Sequence, residues 1–374
     1  MLNLLLILIF IRPFISYLAF PSLDSLYSAL ILSFSLFWML RNSISLKKLQ
    51  PIKYPLLLFC IALIISIIFS VNRANSIGEI YKYGTGIILL ILAAHFSDTQ
   101  KDRFIYAIIF SGIAVSCFAI YQYFFGFRHL LNYLVKQNIV DPFVLDYVMS
   151  RRTFFPFVSP NILGGFVAMT MPLALACKHK LWIILPLGVT LLLTKSLSAL
   201  FALFLGLMIY LYLQKKINKK MIILLCGIFA SLMMIFMIRT AYQKEYLQPF
   251  YSITRRLGYW EDTLMLIKLH PFVGVGLGNF NLMESRFAHN FYLQLWAEAG
   301  ILPFIAFFWL IGSVLKCDIR NIKESFQKNQ MVVLVTAIEI FLIDNFLNFS
   351  FFLPEVNFFW CVIIGLFFSL YNRS

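Results

Sequence analysis

Apolar residues run through this chain in long blocks, and polar positions gather in short strips between them. Divided at those strips, the blocks fall near 2–20, 22–40, 55–71, 77–96, 103–126, 159–177, 181–194, 197–213, 221–239, 290–315, 331–350 and 356–371. Read at the roughly 20 apolar residues that carry a helix across a bilayer, they predict an all-α polytopic membrane protein with about 12 transmembrane helices. The expected organisation is a single integral membrane domain over 1–374 with two larger outer connections. Composition strengthens this picture: 61% of residues are hydrophobic, only 13% are charged, and mean hydropathy is +0.86. Soluble domains carry about a quarter charged residues. A water-soluble enzyme, a disordered chain and a nucleic-acid binder are therefore excluded, and the lipid bilayer is the expected solvent.

The formal net charge of +15 has to be sorted by side of the membrane before it says anything about partners. With the N-terminus inside, the inner connections carry Arg41, Lys47, Lys48 and Lys53; Lys101 and Arg103; Lys178 and Lys180; Lys215, Lys216, Lys219 and Lys220; Lys316, Arg320, Lys323 and Lys328; then Arg373. Every inner connection is basic, as cytoplasmic loops are. Both termini are then cytoplasmic, and the longer connections 127–158 and 240–289 lie outside, where function is to be sought. The first apolar block lacks a basic start and a small-residue cleavage site, so it reads as a retained span. Cys60, Cys117, Cys177, Cys226, Cys317 and Cys361 form neither a disulfide framework nor a zinc spacing.

Three stretches hold the candidate chemistry. Arg151 and Arg152 precede Ser159-Pro160-Asn161, where Ser159 suits a helix cap and Pro160 a first turn. Arg255 and Arg256 stand one helical turn before Tyr259-Trp260, with Leu257, Trp260, Leu264 and Ile267 at helical spacing. By periodicity alone this is an interfacial helix with snorkelling arginines. Gly274-Val275-Gly276-Leu277-Gly278 lacks a preceding strand and is no nucleotide loop. His289-Asn290 then stands at the lip of an apolar run that contains Glu298. Taken singly, His289 fits a structural hydrogen bond as well as catalysis, and Glu298 fits a structural partner of a buried cation or hydroxyl. Lys195 sits in a tight turn, where an interfacial lysine would also sit. Together, arginines from two outer loops and a histidine, with no clustered acid beside them, suit a phosphorylated lipid, because guanidinium grips phosphate in paired charge-assisted bonds. No Asp-x-Asp triplet or carboxylate–histidine spacing requires a metal, and no cofactor is implied.

These stretches resemble the O-antigen ligase and polymerase superfamily of bacterial envelope glycosyltransferases. Arg152 to Gly165, with Pro160-Asn161 eight and nine residues after the arginine, is similar to one family motif. Arg256 to Trp260, followed by Pro271 and Gly274 to Gly278, is similar to a second. His289-Asn290 through Glu298-Ala299-Gly300 is similar to a third, so the motif-bearing region spans about 150–302. The chain departs from the family at Ser196-Leu197-Ser198, where an arginine is often found, and Lys195 stands beside that position.

The resemblance implies a GT-C-like fold and a metal-independent transferase of the bacterial inner membrane with its site on the periplasmic face. It would move a glycan from undecaprenyl pyrophosphate to lipid A–core. The alternatives are a polymerase using a lipid-linked repeat as acceptor, or a transporter of lipid-linked sugar. Under the transferase reading, Arg152 and Arg256 would stabilise the leaving pyrophosphate and His289 would assist the acceptor hydroxyl. Arg151, Arg255, Lys195, Asn161, Trp260, Asn290 and Glu298 would line the substrate.

Overall fold

The computed structural model describes residues 2–371 apart from 43, 139–140, 217, 242–243, 245–248, 284, 318 and 320–324. Arg320, Lys323 and Arg373, counted above among the inner basic residues, lie outside the described residues. Among those described, all regular structure is helical. The helices are α1 (Leu2–Ile11), α2 (Pro21–Arg41), α3 (Lys53–Ile68), α4 (Arg73–Ala93), α5 (Asp98–Tyr121), α6 (Phe127–Lys136), α7 (Pro142–Met149) and α8 (Pro160–Thr170). They continue with α9 (Lys180–Thr194), α10 (Leu197–Leu213), α11 (Lys219–Ala241), α12 (Pro249–Leu269), α13 (Phe291–Ala299), α14 (Ile301–Leu315), α15 (Ser325–Asp344) and α16 (Pro354–Tyr371).

The expectation of about 12 transmembrane helices is overturned. Among the described residues, six helices are long and apolar enough to cross a membrane: 21–41, 73–93, 98–136, 219–238, 326–344 and 354–371. The remaining apolar helical segments have 10–17 residues, and at 1.5 Å per residue about 16 residues reach only ~24 Å of a ~30 Å hydrocarbon layer. An apolar run measures hydrophobicity, whereas helix length is set by what ends the helix. Arg12-Pro13 turns the first run into a 3-10 segment, Met171-Pro172 does the same after α8, and Gly300 divides the run 290–315 into α13 and α14. Conversely, a π turn at Gln122–Gly126 joins α5 to α6, so one helix extends well past the expected 103–126. The two longer connections, 127–158 and 240–289, hold helices of their own, α6, α7 and α12.

Packing follows the sequence. Apolar all round, α16 has Pro354 through Leu370 buried against α4 and α15, as expected for a helix without a polar face. By contrast, the most apolar window of α11 has no buried residue. So much outward-facing hydrocarbon is stable only in lipid, and the chain is a multi-pass membrane protein. The connections sort onto two ends of the bundle. At one end Ser45 N–H donates to His95 Nε2 (3.0 Å), Gln214 Nε2 to Asn329 Oδ1 (2.7 Å) and Gln330 Nε2 to Asp102 Oδ1 (3.3 Å). At the other, Val71 N–H donates to the Val275 carbonyl (3.1 Å), Thr153 N–H to Leu193 (3.2 Å) and Phe291 N–H to Asn345 (3.0 Å). The second end carries the candidate site.

Candidate active site

The turn between α9 and α10 organises the first arginine. Thr194 ends α9, Lys195 adopts a left-handed conformation (φ 52°), and Ser196 caps α10 by accepting from Ala199 N–H. The Thr194 carbonyl this exposes accepts from Arg152 Nε (3.1 Å), while Arg152 Nη2 donates to Asn161 Oδ1 (3.1 Å). Asn161 is held by the first turn of α8, where Pro160 opens the helix and Ser159 Oγ accepts from Asn161 N–H (3.3 Å). Two of five guanidinium donors are thereby fixed, which sets the plane of the group. Lys195 Nζ donates to the Ser150 carbonyl, tying the turn to the arginine-bearing loop. Arg151, at φ 48°, is exposed beside it.

Arg256 approaches from α12. It is buried, while Leu257 and Leu264 on the same helix face outward. Burial lowers its pKa; the Asp344 carboxylate raises it, Arg152 lowers it further and Tyr259 raises it. Arg152 and Arg256 are thus close enough to repel one another. Burial likewise lowers the pKa of Arg152. Arg255, on the neighbouring position of α12, lies over the Tyr259 ring at 5.6 Å.

His289 completes the cluster. Its backbone is left-handed (φ 51°), a conformation that costs a non-glycine residue energy and tends to mark functional positions. The imidazole stacks on Tyr259 (5.7 Å, 24°) and meets the edge of Phe349 (4.9 Å, 84°). Nδ1 is buried with no hydrogen-bond partner among the described residues. Burial first, and Arg256 second, push its pKa down to about 4, so the imidazole is neutral at neutral pH. Trp260 Nε1 and Thr153 Oγ1 are likewise buried and unpartnered.

Of the sequence-predicted residues, Arg152, Arg256 and His289 are brought together, with Asn161 and Lys195 holding the first arginine's surroundings. Asn290 caps α13, its Oδ1 accepting from Leu293 N–H (3.1 Å). Glu298 points elsewhere. Its carboxylate accepts from Gly278 N–H (2.9 Å) and Gln294 Nε2 (2.8 Å), and its carbonyl accepts from Gly276 N–H (2.8 Å). Gln294 Oε1 in turn accepts from Ala288 N–H (3.1 Å), so Glu298 reaches the residue before His289 through one amide.

The glycine-rich stretch is a clamp for this arrangement. Gly276 (φ 96°) leaves no room for a Cβ against Ser70, and Asn279 Nδ2 donates to Ser70 Oγ (2.8 Å), fastening the stretch to the α3–α4 turn. Gly300 (φ 85°) separates α13 from α14, and a Cβ there would overlap the Phe272 carbonyl. Gly300→Ala is expected to cost about 1–3 kcal/mol of stability, from the unfavourable backbone region and the clash together. A lower midpoint in detergent thermal unfolding checks this; an unchanged midpoint contradicts it.

Asp344 was not expected. It ends α15, accepts from Asn348 Nδ2 (3.1 Å) through one oxygen, and has its other oxygen buried and unpartnered. The signal was available, because a carboxylate inside an apolar block is a functional candidate by default. Among the described residues no group of three or more His, Cys, Asp or Glu could hold a metal ion.

Residues 182–308 match the family model described as O-antigen ligase. Arg256, His289 and Lys195 lie within the matched residues, whereas Arg152 and Asn161 precede them. An uncharacterized protein of Haemophilus influenzae is 22% identical, with 77% of each chain covered. These likenesses point broadly to the O-antigen ligase and polymerase superfamily. They support a glycosyltransferase-type role for a multi-pass membrane protein.

Proposed function

We propose that this chain is an O-antigen ligase-like glycosyltransferase of the bacterial inner membrane, moving a glycan from undecaprenyl pyrophosphate to lipid A–core on the periplasmic face. The observation that carries the reading is the proximity of Arg152 to Arg256 and of Arg256 to His289, residues of three separate segments. In the reaction, the acceptor hydroxyl oxygen attacks the anomeric carbon of the donor sugar and passes its proton to His289. The bond from that carbon to the pyrophosphate oxygen breaks, and undecaprenyl pyrophosphate leaves with the electron pair. Two neighbouring guanidinium groups with one carboxylate, Asp344, beside them leave a net positive site that favours an anionic ligand. A neutral imidazole is the form able to take the proton. Arg152 and Arg256 supply charge and orientation, and the transfer we propose uses no metal ion.

A transporter would place cations along a path through the bilayer, whereas these gather at one end of the bundle. Sealed right-side-out membrane vesicles carrying the protein, given undecaprenyl-pyrophosphate-linked glycan and lipid A–core from outside, test the reading. Glycan-bearing lipid A–core is expected from right-side-out vesicles and not from inverted ones. A ladder of lengthened lipid-linked glycan, with lipid A–core untouched, would make the chain a polymerase. Disappearance of donor from the outer leaflet with no new glycosidic bond would make it a transporter.

A further inference from the structure

The backbone that carries His289 is tied down by hydrogen bonds on both sides. Before it, Arg286 donates to Tyr17 Oη (3.2 Å), which donates in turn to Glu79 Oε1 (2.7 Å), and Ala288 N–H donates to Gln294 Oε1 (3.1 Å). After it, Asn290 caps α13, and Phe291 N–H is shared between the Asn345 and Asn348 carbonyls (3.0 and 3.1 Å). Those bonds place the Cα atom of His289 and leave its two side-chain torsions open. The second torsion is soft, because a bond from a tetrahedral to a planar carbon has a broad energy well. A histidine that works as a base usually loses this freedom to a hydrogen bond from one ring nitrogen to a carboxylate or carbonyl. Here Nδ1 is buried with no such partner among the described residues.

Two rings stand where that partner would be. Tyr259 lies nearly parallel to the imidazole (5.7 Å, 24°) and Phe349 nearly at right angles to it (4.9 Å, 84°), the two arrangements that aromatic pairs prefer. Neighbours set at two different angles resist rotation about both torsions, where one alone would leave a hinge. Phe349 is itself fixed, being buried and stacked on Phe287 (4.0 Å, 9°). Tyr259 stands on α12 three residues after Arg256, with Arg255 over its ring (5.6 Å). The helix that brings the second arginine therefore also brings the ring that lies against the base. The charge bearing on the imidazole is that of Arg256, with Asp344 of α15 beside it, and Tyr259 is the titratable group in contact with it.

We propose that Tyr259 is a positioning residue of the transfer: its ring, together with Phe349, aims the His289 imidazole in place of a hydrogen-bonded partner. The assignment rests on the transferase reading and names what directs its base. Tyr259→Leu keeps apolar bulk and removes the flat face, whereas Tyr259→Phe keeps the face and removes the hydroxyl. Tyr259→Leu is expected to lower kcat about 10- to 100-fold, the cost of a misdirected group, with the donor KM within about threefold because Arg256 stays in place. The same variant is expected to raise the acid limb of kcat/KM, because water reaches the ring and the imidazole pKa climbs from about 4 toward 6.5. A side chain that merely supported α12 would leave that limb where it is. Tyr259→Phe should restore both the rate and the limb. Tyr259 is partly exposed, so the leucine variant is expected to fold; if it does not, Phe349→Leu removes the other ring and is read in the same way. An acid limb that stays in place, whatever happens to kcat, overturns the assignment, as does a phenylalanine variant as slow as the leucine one; either result leaves transfer itself intact. Absence of any transfer by the wild type would instead refute the transferase reading.

Discussion

His289→Ala is expected to lower the rate of glycan transfer by about 10²- to 10⁴-fold, the range that general acid–base assistance contributes. The protein should still fold and bind donor, because the imidazole lies between Tyr259 and Phe349 without a hydrogen bond that the fold depends on. Steady-state rates of the purified variant beside donor-binding measurements separate the two effects. Loss of donor binding would move His289 into the phosphate site, and wild-type turnover would remove it from the mechanism.

The same residue gives a pH dependence whose sign can be worked out. Burial and Arg256 hold the folded-state pKa near 4, below the ordinary value of 6.5. Between those values the unfolded chain binds more protons than the folded one, so stability rises with pH across this window. The contribution is complete above about pH 6.5 and is lost as pH falls toward 4. For the free enzyme, the acid limb of kcat/KM should accordingly lie well below pH 6.5. An anionic donor seated on Arg256 would shield the imidazole from that charge and raise its pKa, moving the acid limb of kcat upward relative to that of kcat/KM.

Arginine-to-lysine changes at positions 152 and 256 are expected to be nearly as damaging as loss of the base, at about 10²- to 10³-fold each in kcat, by comparison with removal of one donor from a charge-stabilising site. Lysine keeps the charge but loses the planar, forked geometry. At Arg152 it also cannot bridge the Thr194 carbonyl and Asn161 Oδ1 as a plane while presenting donors to a ligand. Full activity of both lysine variants would reduce the arginines to a non-directional attraction for anions.

Much of this site could be read from residue order because its parts are local. Ser159 and Pro160 announce the start of α8, which holds Asn161 for Arg152, and Leu257 and Leu264 mark the outward face of the helix that buries Arg256. The number of spans could not be read this way. Hydropathy blocks do not register the 3-10 segment at Arg12-Pro13 or the break at Gly300, each decided by backbone geometry. Glu298 reads from its place in an apolar run as a structural partner of a buried group, and only the resemblance placed it near substrate; its partners, Gly278 and Gln294, are fixed by how the preceding loop folds back. Asp344 faces Arg256, and Tyr17 faces Glu79 and Arg286, across long sequence separations. Periodicity reports which face of a helix is apolar and is silent on which polar group stands opposite.

The central claim is that one pyrophosphate is held jointly by arginines from two loops with its sugar carbon beside His289. A structure of the protein with bound undecaprenyl-pyrophosphate-linked glycan tests it most directly. The expected result is phosphate oxygens within hydrogen-bond distance of both Arg152 and Arg256, with the anomeric carbon facing the His289 imidazole. A pyrophosphate that touches only one arginine, or that lies at the opposite end of the bundle beside Lys215 and Lys216, would contradict it.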